Sequence, residues 1–163
     1  MPLDDRIDHE TGQVKVKLPI IHFPHDGKPD GEHVWCTPAG PEHYVIDNVP
    51  WFADAYHYKD TIEARMTPSG MTCPCCPREW LEAKRLCIRS GYETVLWAFA
   101  TKLTDAEVYK HLDYLTEQAG TNTEGADNLH MATAVPPGRM DDFERAIAHL
   151  EAIGVVEKDE EGE

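Results

Sequence analysis

The segment T-C-P-C-C-P, residues 72–77, sets three cysteines within four positions, interleaved with Pro74 and followed by Pro77. Cys73 and Cys76 form a C-x-x-C pair with Cys75 inside it. Zinc takes roughly tetrahedral nitrogen and sulfur ligands, and this spacing lets one turn supply two of them. The next thiol, Cys87, stands eleven residues beyond Cys76. Cys73, Cys76 and Cys87 are therefore the candidate metal ligands, with a histidine as fourth, and Zn is the cofactor they would hold. The signal is one pair and a half, because neither a second C-x-x-C nor an H-x-x-x-H is present. A redox thiol is a second reading. It needs a thiolate of low pKa, usually at a helix start, and Cys76 precedes Pro77, a residue suited to a first helical turn. Reduced thiols in a structured turn are the third. Cys36 follows Trp35 in a strand-like run and reads as a buried or edge position.

Other reactive groups are scattered. His22, His25, His33, His43 and His57 cluster in the N-terminal half, where they could bind a metal or titrate near neutral pH. They fall in loops and strand ends without ligand spacing and read as solvated. Asp47, Asp54 and Asp60 could do acid–base work only if one were desolvated beside a second group. Turn-forming aspartate is the plainer reading. No catalytic residue is assigned, and no G-x-G-x-x-G, Walker loop, G-x-S-x-G or H-E-x-x-H is present. The aromatic run W-F-A-D-A-Y-H-Y, residues 51–58, supplies either core rings or a contact patch, since Trp and Tyr dominate interface hot spots. Asp47, Asn48, Trp51 and Tyr56 are the candidate partner-binding positions.

The elements that must carry these residues follow from pattern. With 163 residues and 41% hydrophobic content the chain has material for a core. Q-V-K-V-K-L alternates, with Val14, Val16 and Leu18 on one side, as a half-buried strand does. Short strands are expected at 34–36, 44–46 and 61–64, a short helix at 79–86 after Pro77, and a strand from Cys87 through Ser90 and Gly91 into Y-E-T-V-L-W-A-F-A. T-D-A-E at 104–107 is a capping box, and Val108, Leu112, Leu115 and Ala119 make one helical face that Gly120 ends. A strand at 129–135 is broken by Pro136 and Pro137. Met140, Phe143, Ile147 and Leu150 then mark a second helix ended by Gly154, with Val155 and Val156 as a last short strand. The expected fold is α+β: a small antiparallel N-terminal sheet or barrel, then a ferredoxin-like split βαβ unit. The expected divisions are a flexible N-terminus (1–12), a β subdomain (13–66), a Cys-containing connector (67–91), the ferredoxin-like subdomain (92–158) and an acidic tail (159–163).

Charge narrows the partners. The formal net charge is -15, from 30 acidic against 15 basic residues. That disfavours direct nucleic-acid binding, which needs clustered Lys and Arg. It favours a basic protein partner, or solubility alone. No window approaches 18 apolar residues, so no membrane span is expected. The start, MPLDDRIDHE, lacks the basic and apolar regions of a signal peptide, which points to the cytoplasm and reduced thiols. Oligomeric state is not readable.

Trp35, then Tyr44, Ile46, Asp47, Asn48, Pro50, Trp51 and Ala53, then Asp60, make a W…Y-x-I-D-N-x-P-W-x-A…D pattern. Ser90, Gly91 and Thr94 make S-G-x-x-T, and V-P-P follows at 135–137. Across residues 32–156 the chain resembles an uncharacterised bacterial domain-of-unknown-function family. The resemblance implies a small soluble bacterial or phage-borne protein of similar architecture and supplies no catalytic residues; C-P-C-C lies outside its pattern. The function expected first is a non-enzymatic acidic binder of a basic partner, like an immunity protein or inhibitor. The alternatives are a metabolite-sensing regulatory module, a small zinc- or thiol-dependent enzyme, and a phage-borne nucleic-acid mimic.

Overall fold

A computed structural model describes residues 6–19, 31–53, 55–68 and 79–158. The chain divides into two compact units, Met1–Ser90 and Gly91–Glu163. Among the described residues are eight strands and two helices, a mixed α+β fold. None of their helices is long and apolar enough to cross a membrane.

In the first unit, alternation in Val14–Pro19 (β1) turns Val16 and Leu18 fully inward, while Lys15 and Lys17 stay half-exposed. Gly31–Pro38 (β2), His43–Ile46 (β3), Thr61–Pro68 (β4) and Glu79–Ile88 (β5) follow as an antiparallel meander. In a meander of five strands the first and last run the same way. Closure between β1 and β5 is therefore parallel, at Lys17 and Glu82, and it makes a barrel without a free edge. Val16, Leu18, Val34, Cys36, Ile46, Ile62, Ala64 and Ala83 fill its interior, joined by Ala53 and Tyr56 from the β3–β4 connection. Each fully buried Val, Leu or Ile contributes about 1.5–3 kcal/mol.

The structure corrects two expectations. The first is the helix at 79–86, which is the start of β5. Register shifts opposite Thr61/Ile62 and Glu63/Ala64 break its alternation, so Leu81, Ala83 and Leu86 face the core. Within 67–91, Thr67 and Pro68 belong to β4 and Glu79–Ile88 is β5. The second is the long strand through Ser90 and Gly91. It is interrupted there, because Gly91 has φ +86° and a Cβ on it would meet Pro137 Cγ at 2.7 Å. Residues 6–13 close into a turn in which Asp8 accepts from the amides of Glu10 (2.9 Å) and Thr11 (3.3 Å), and Gly12 donates to the Asp8 carbonyl (2.7 Å).

A buried carboxylate ties the barrel together. Asp60 is 1% exposed. It accepts from the amides of His57 and Ser90, both at 2.8 Å, and its carbonyl accepts from Ile46 at 3.0 Å. Ser90 Oγ donates to the Tyr58 carbonyl at 2.7 Å.

The second unit places Glu93–Ala98 (β6), Asp105–Ala119 (α1), Asn122–Gly125 (β7), His130–Val135 (β8) and Met140–Ala152 (α2) in chain order. The sheet runs β6-β8-β7, antiparallel throughout. Phe99 donates to the Leu129 carbonyl (2.9 Å), so its neighbours Ala98 and Ala100 turn to the other edge of β6. There Glu157 donates to Ala98 (3.0 Å) and Ala100 to Val155 (2.9 Å). The core holds Phe99, Met131 and Val135 of the sheet segment with Val108, Leu115 and Ala119 of α1 and Phe143, Ala146 and Leu150 of α2. The capping box forms with a variation: Thr104 Oγ1 accepts from the Glu107 amide (3.3 Å) and donates to the Glu107 carboxylate (3.0 Å). Gly120, at φ 66°, ends α1.

Asp60→Ala leaves the His57 and Ser90 amides without an acceptor, at about 1–3 kcal/mol each. The barrel transition in chemical denaturation should lose about 2–6 kcal/mol of stability, and Asp60→Asn, which keeps one acceptor, less. An unchanged midpoint for Asp60→Ala would remove the carboxylate as the barrel's lock.

Candidate functional site

The Thr104 cap fixes where α1 begins and so which side chains share a stripe. Asp105, Val108, Tyr109 and Leu112 recur at helical spacing and face the turn that joins β7 to β8. Between them and Thr123, Gly125, Ala126, Asp127, Asn128 and Met131 runs a groove of about 320 Å³. Val108 and Met131 lie buried beneath it, and Leu112 packs against the same core. Gly125 keeps the groove open on the hairpin side, where a Cβ would meet Met131 Cε at 2.9 Å and Sδ at 3.1 Å. Below it, Trp97 Nε1 donates to Thr133 Oγ1 (2.7 Å), which also shares a hydrogen bond with Thr123 Oγ1 (2.8 Å). The Tyr109 ring stands 67% exposed at the rim.

The rim is anionic. Asp127 accepts from the amides of His130 (2.6 Å) and Leu129 (2.9 Å) and lies 3.1 Å from the His130 ring. The His130 amide, then its ring, then the Leu129 amide lower its pKa to about 2. Asn128 Nδ2 donates to the Leu103 carbonyl (2.9 Å) and to Asp105 Oδ1 (2.8 Å), which pins the hairpin turn to the helix start. The α1 N-terminus offers about half a positive charge, against two carboxylates. A long side chain with an apolar stem and a cationic head matches this lining.

Spacing alone did not single out Asp105, Tyr109, Asp127 or Asn128. The traces they leave are the four-residue step from Asp105 to Tyr109 and the D-N-L-H turn. The candidate partner-binding positions Asp47, Asn48, Trp51 and Tyr56 lie in the first unit. Asp47 accepts from Gln13 Nε2 (3.1 Å), Thr37 Oγ1 and Lys59 Nζ. Burial pushes its pKa up, but those three hydrogen bonds and the Lys59 charge outweigh it and hold the carboxyl below the usual range. The latch therefore contributes stability above the ordinary carboxylate pKa and loses it only as pH falls through the lower folded value. Asn48 Oδ1 accepts from the Trp35 amide. The amides of Trp51 (2.7 Å), Phe52 (3.0 Å) and Ala53 (3.3 Å) converge on the Glu32 carboxylate. The Trp51 ring is half-buried, and Tyr56, at 9% exposure, belongs to the barrel core. His33 packs its ring on Trp80 at 4.4 Å, and Lys15 lies 5.2 Å over Trp35.

Cys73, Cys75 and Cys76, with His22, His25 and Asp54, lie outside the described residues. Cys87 is half-buried near the end of β5, eight strand steps or about 26 Å from Glu79. Among the described residues no three His, Cys, Asp or Glu side chains gather as a metal set. Cys36 is fully buried and free.

No family model matches the chain, and no curated protein matches it. Among solved structures, a hypothetical protein from Neisseria gonorrhoeae is similar, with a TM-score of 0.58 and 13% identity over 88% of this chain and 91% of that one. At that identity the likeness speaks for the mixed α+β fold alone.

Burial, with Asp47 nearby, pushes the Cys36 thiol up to about 12. At pH 8 its thiolate fraction is on the order of 10⁻⁴. Peptide mass spectrometry after iodoacetamide treatment at pH 8 should find Cys36 unmodified in folded protein and modified in denaturant. Rapid labelling without denaturant would mean that the barrel opens at β2.

Proposed function

We propose that this protein is a non-enzymatic acidic binder that engages a basic partner protein and neutralises or regulates it, as immunity proteins and inhibitors do. The observation that carries the reading is the groove between α1 and the β7–β8 hairpin, with a rim of Asp105, Asp127 and exposed Tyr109. A Lys or Arg side chain laid there runs its stem along Leu112 and sets its head between the two carboxylates. The Tyr109 face adds a cation–π contact. A chain of net charge -15 draws a basic partner in and raises the association rate more than the final affinity.

Two finer readings belong to the same proposal. The second unit reads as a ferredoxin-like split βαβ, supported by the chain order β6-α1-β7-β8-α2 and the sheet order β6-β8-β7. The Val155–Glu157 segment, bonded to the outer edge of β6, takes the place of the last strand. The chain also reads as a relative of the uncharacterised bacterial family it resembles, and the I-D-N motif of that resemblance serves as the Asp47–Asn48 latch.

A synthetic peptide alternating Lys and Gly is the probe, followed by isothermal titration. Asp105→Asn with Asp127→Asn should weaken binding about tenfold or more and flatten its salt dependence, and Tyr109→Ala should weaken it about fivefold. Asparagine keeps the acceptors that shape the turn, and circular dichroism checks that it does. Because Asp127 stays ionised down to about pH 2, its share of the binding should persist from pH 7 to pH 4. Affinity unmoved by the double substitution and by salt would overturn the proposal.

A further inference from the structure

We infer that the partner segment filling the groove binds as an extended strand added to the free edge of β7, with Lys or Arg at every second position directed into the groove. The inference rests on the groove being a cation site and adds the backbone that delivers the cation.

The argument starts from hydrogen-bond phase. Ala126 donates to the His130 carbonyl at 3.2 Å. In the same register Glu124 faces Ala132 and Asn122 faces Ala134, so these residues spend their backbone groups on β8. Thr123 and Gly125 lie between them, opposite Thr133 and Met131, and turn their N–H and C=O groups the other way. The bond from Phe99 to the Leu129 carbonyl gives the same phase from the far side, since it commits Leu129, Met131 and Thr133 to β6. The outer edge of β6 is already engaged by Val155 and Glu157. Thus β7 ends the sheet, with two N–H and two C=O groups spaced as one ladder repeat. No further strand pairs with it among the described residues.

That edge is also the lip of the groove, because Thr123 and Gly125 line it. Side chains of an added strand alternate between faces. The set on the helix-covered face stands over the groove against Asp105, Tyr109 and Asp127. The other set meets the face of Asn122 and Glu124. Gly125 presents no side chain to obstruct the approach. Strand addition takes affinity from the main chain and specificity from pockets for alternate side chains, and this arrangement supplies both. A second copy is a poor occupant. Its own β7 is N-T-E-G, without a cation, and it would bring another net charge of -15.

The test uses the Lys/Gly peptide in two N-methylated forms, one blocking the amides of the Lys positions and the other those of the Gly positions. Only one phase can point its N–H groups at β7. One form should lose about tenfold or more in affinity while the other stays within about twofold. Hydrogen exchange at the Thr123 and Gly125 amides should slow on adding the unmodified peptide. If both forms bind like the parent peptide while Asp105→Asn with Asp127→Asn still weakens it, strand addition is wrong and the groove reading stands. If the aspartate substitutions change nothing, the groove reading fails and takes this inference with it. Protection of the two amides without peptide, together with a dimer in sedimentation, would assign the edge to a second copy and overturn the inference.

Discussion

Asp60 is a carboxylate placed where water does not reach, and the first unit is arranged around satisfying it. An unpaired buried charge would cost several kcal/mol. Here one oxygen takes the His57 amide and the other the Ser90 amide. The residue's own backbone continues the network, accepting from Ile46 and donating to the His57 carbonyl. Three places distant along the chain thereby meet: the end of β3, the entry to β4 and the exit from β5. Ser90 is also the last residue of the first unit.

Local chemistry was legible and closure was not. The boundaries of α1 follow from a hydroxyl at Thr104, a carboxylate at Glu107 and a glycine at 120, all interacting within one turn of chain. The strand β5 is the opposite case. E-W-L-E-A-K-R-L is composed largely of good helix formers, and its inward residues Leu81, Ala83 and Leu86 lack a period of two. Two irregularities in the pairing with β4 produce that spacing. A strand pattern distorted by its partner looks helical when read alone, and the need to close the barrel overrides propensity.

The groove escaped the sequence for a related reason. Asp105 and Tyr109 come from a helix, Asp127 and Asn128 from a hairpin turn, and Met131 from the strand beyond it. Each looks ordinary in its own stretch: an acidic first turn, an Asx-type turn, a core methionine. They become a site only because the hairpin folds back onto the helix start and Asn128 bonds to both Leu103 and Asp105. The I-D-N-V-P-W segment has the reverse character. Its polar residues stand close together in sequence, and Asp47 and Asn48 bond to groups of the same unit.

The parallel seam between β1 and β5 also has a bearing on how the chain emerges during synthesis. Lys17 meets Glu82 across nearly the full length of the unit. Each earlier pairing joins neighbours in the meander, so the sheet can grow strand by strand, yet it keeps two open edges until β5 arrives. Contacts of such sequence separation form slowly, because the intervening chain must be ordered first. The nascent barrel is therefore at its most adhesive just before Ile88 and Ser90 leave the ribosome, and the Ser90 amide closes that interval when it reaches Asp60.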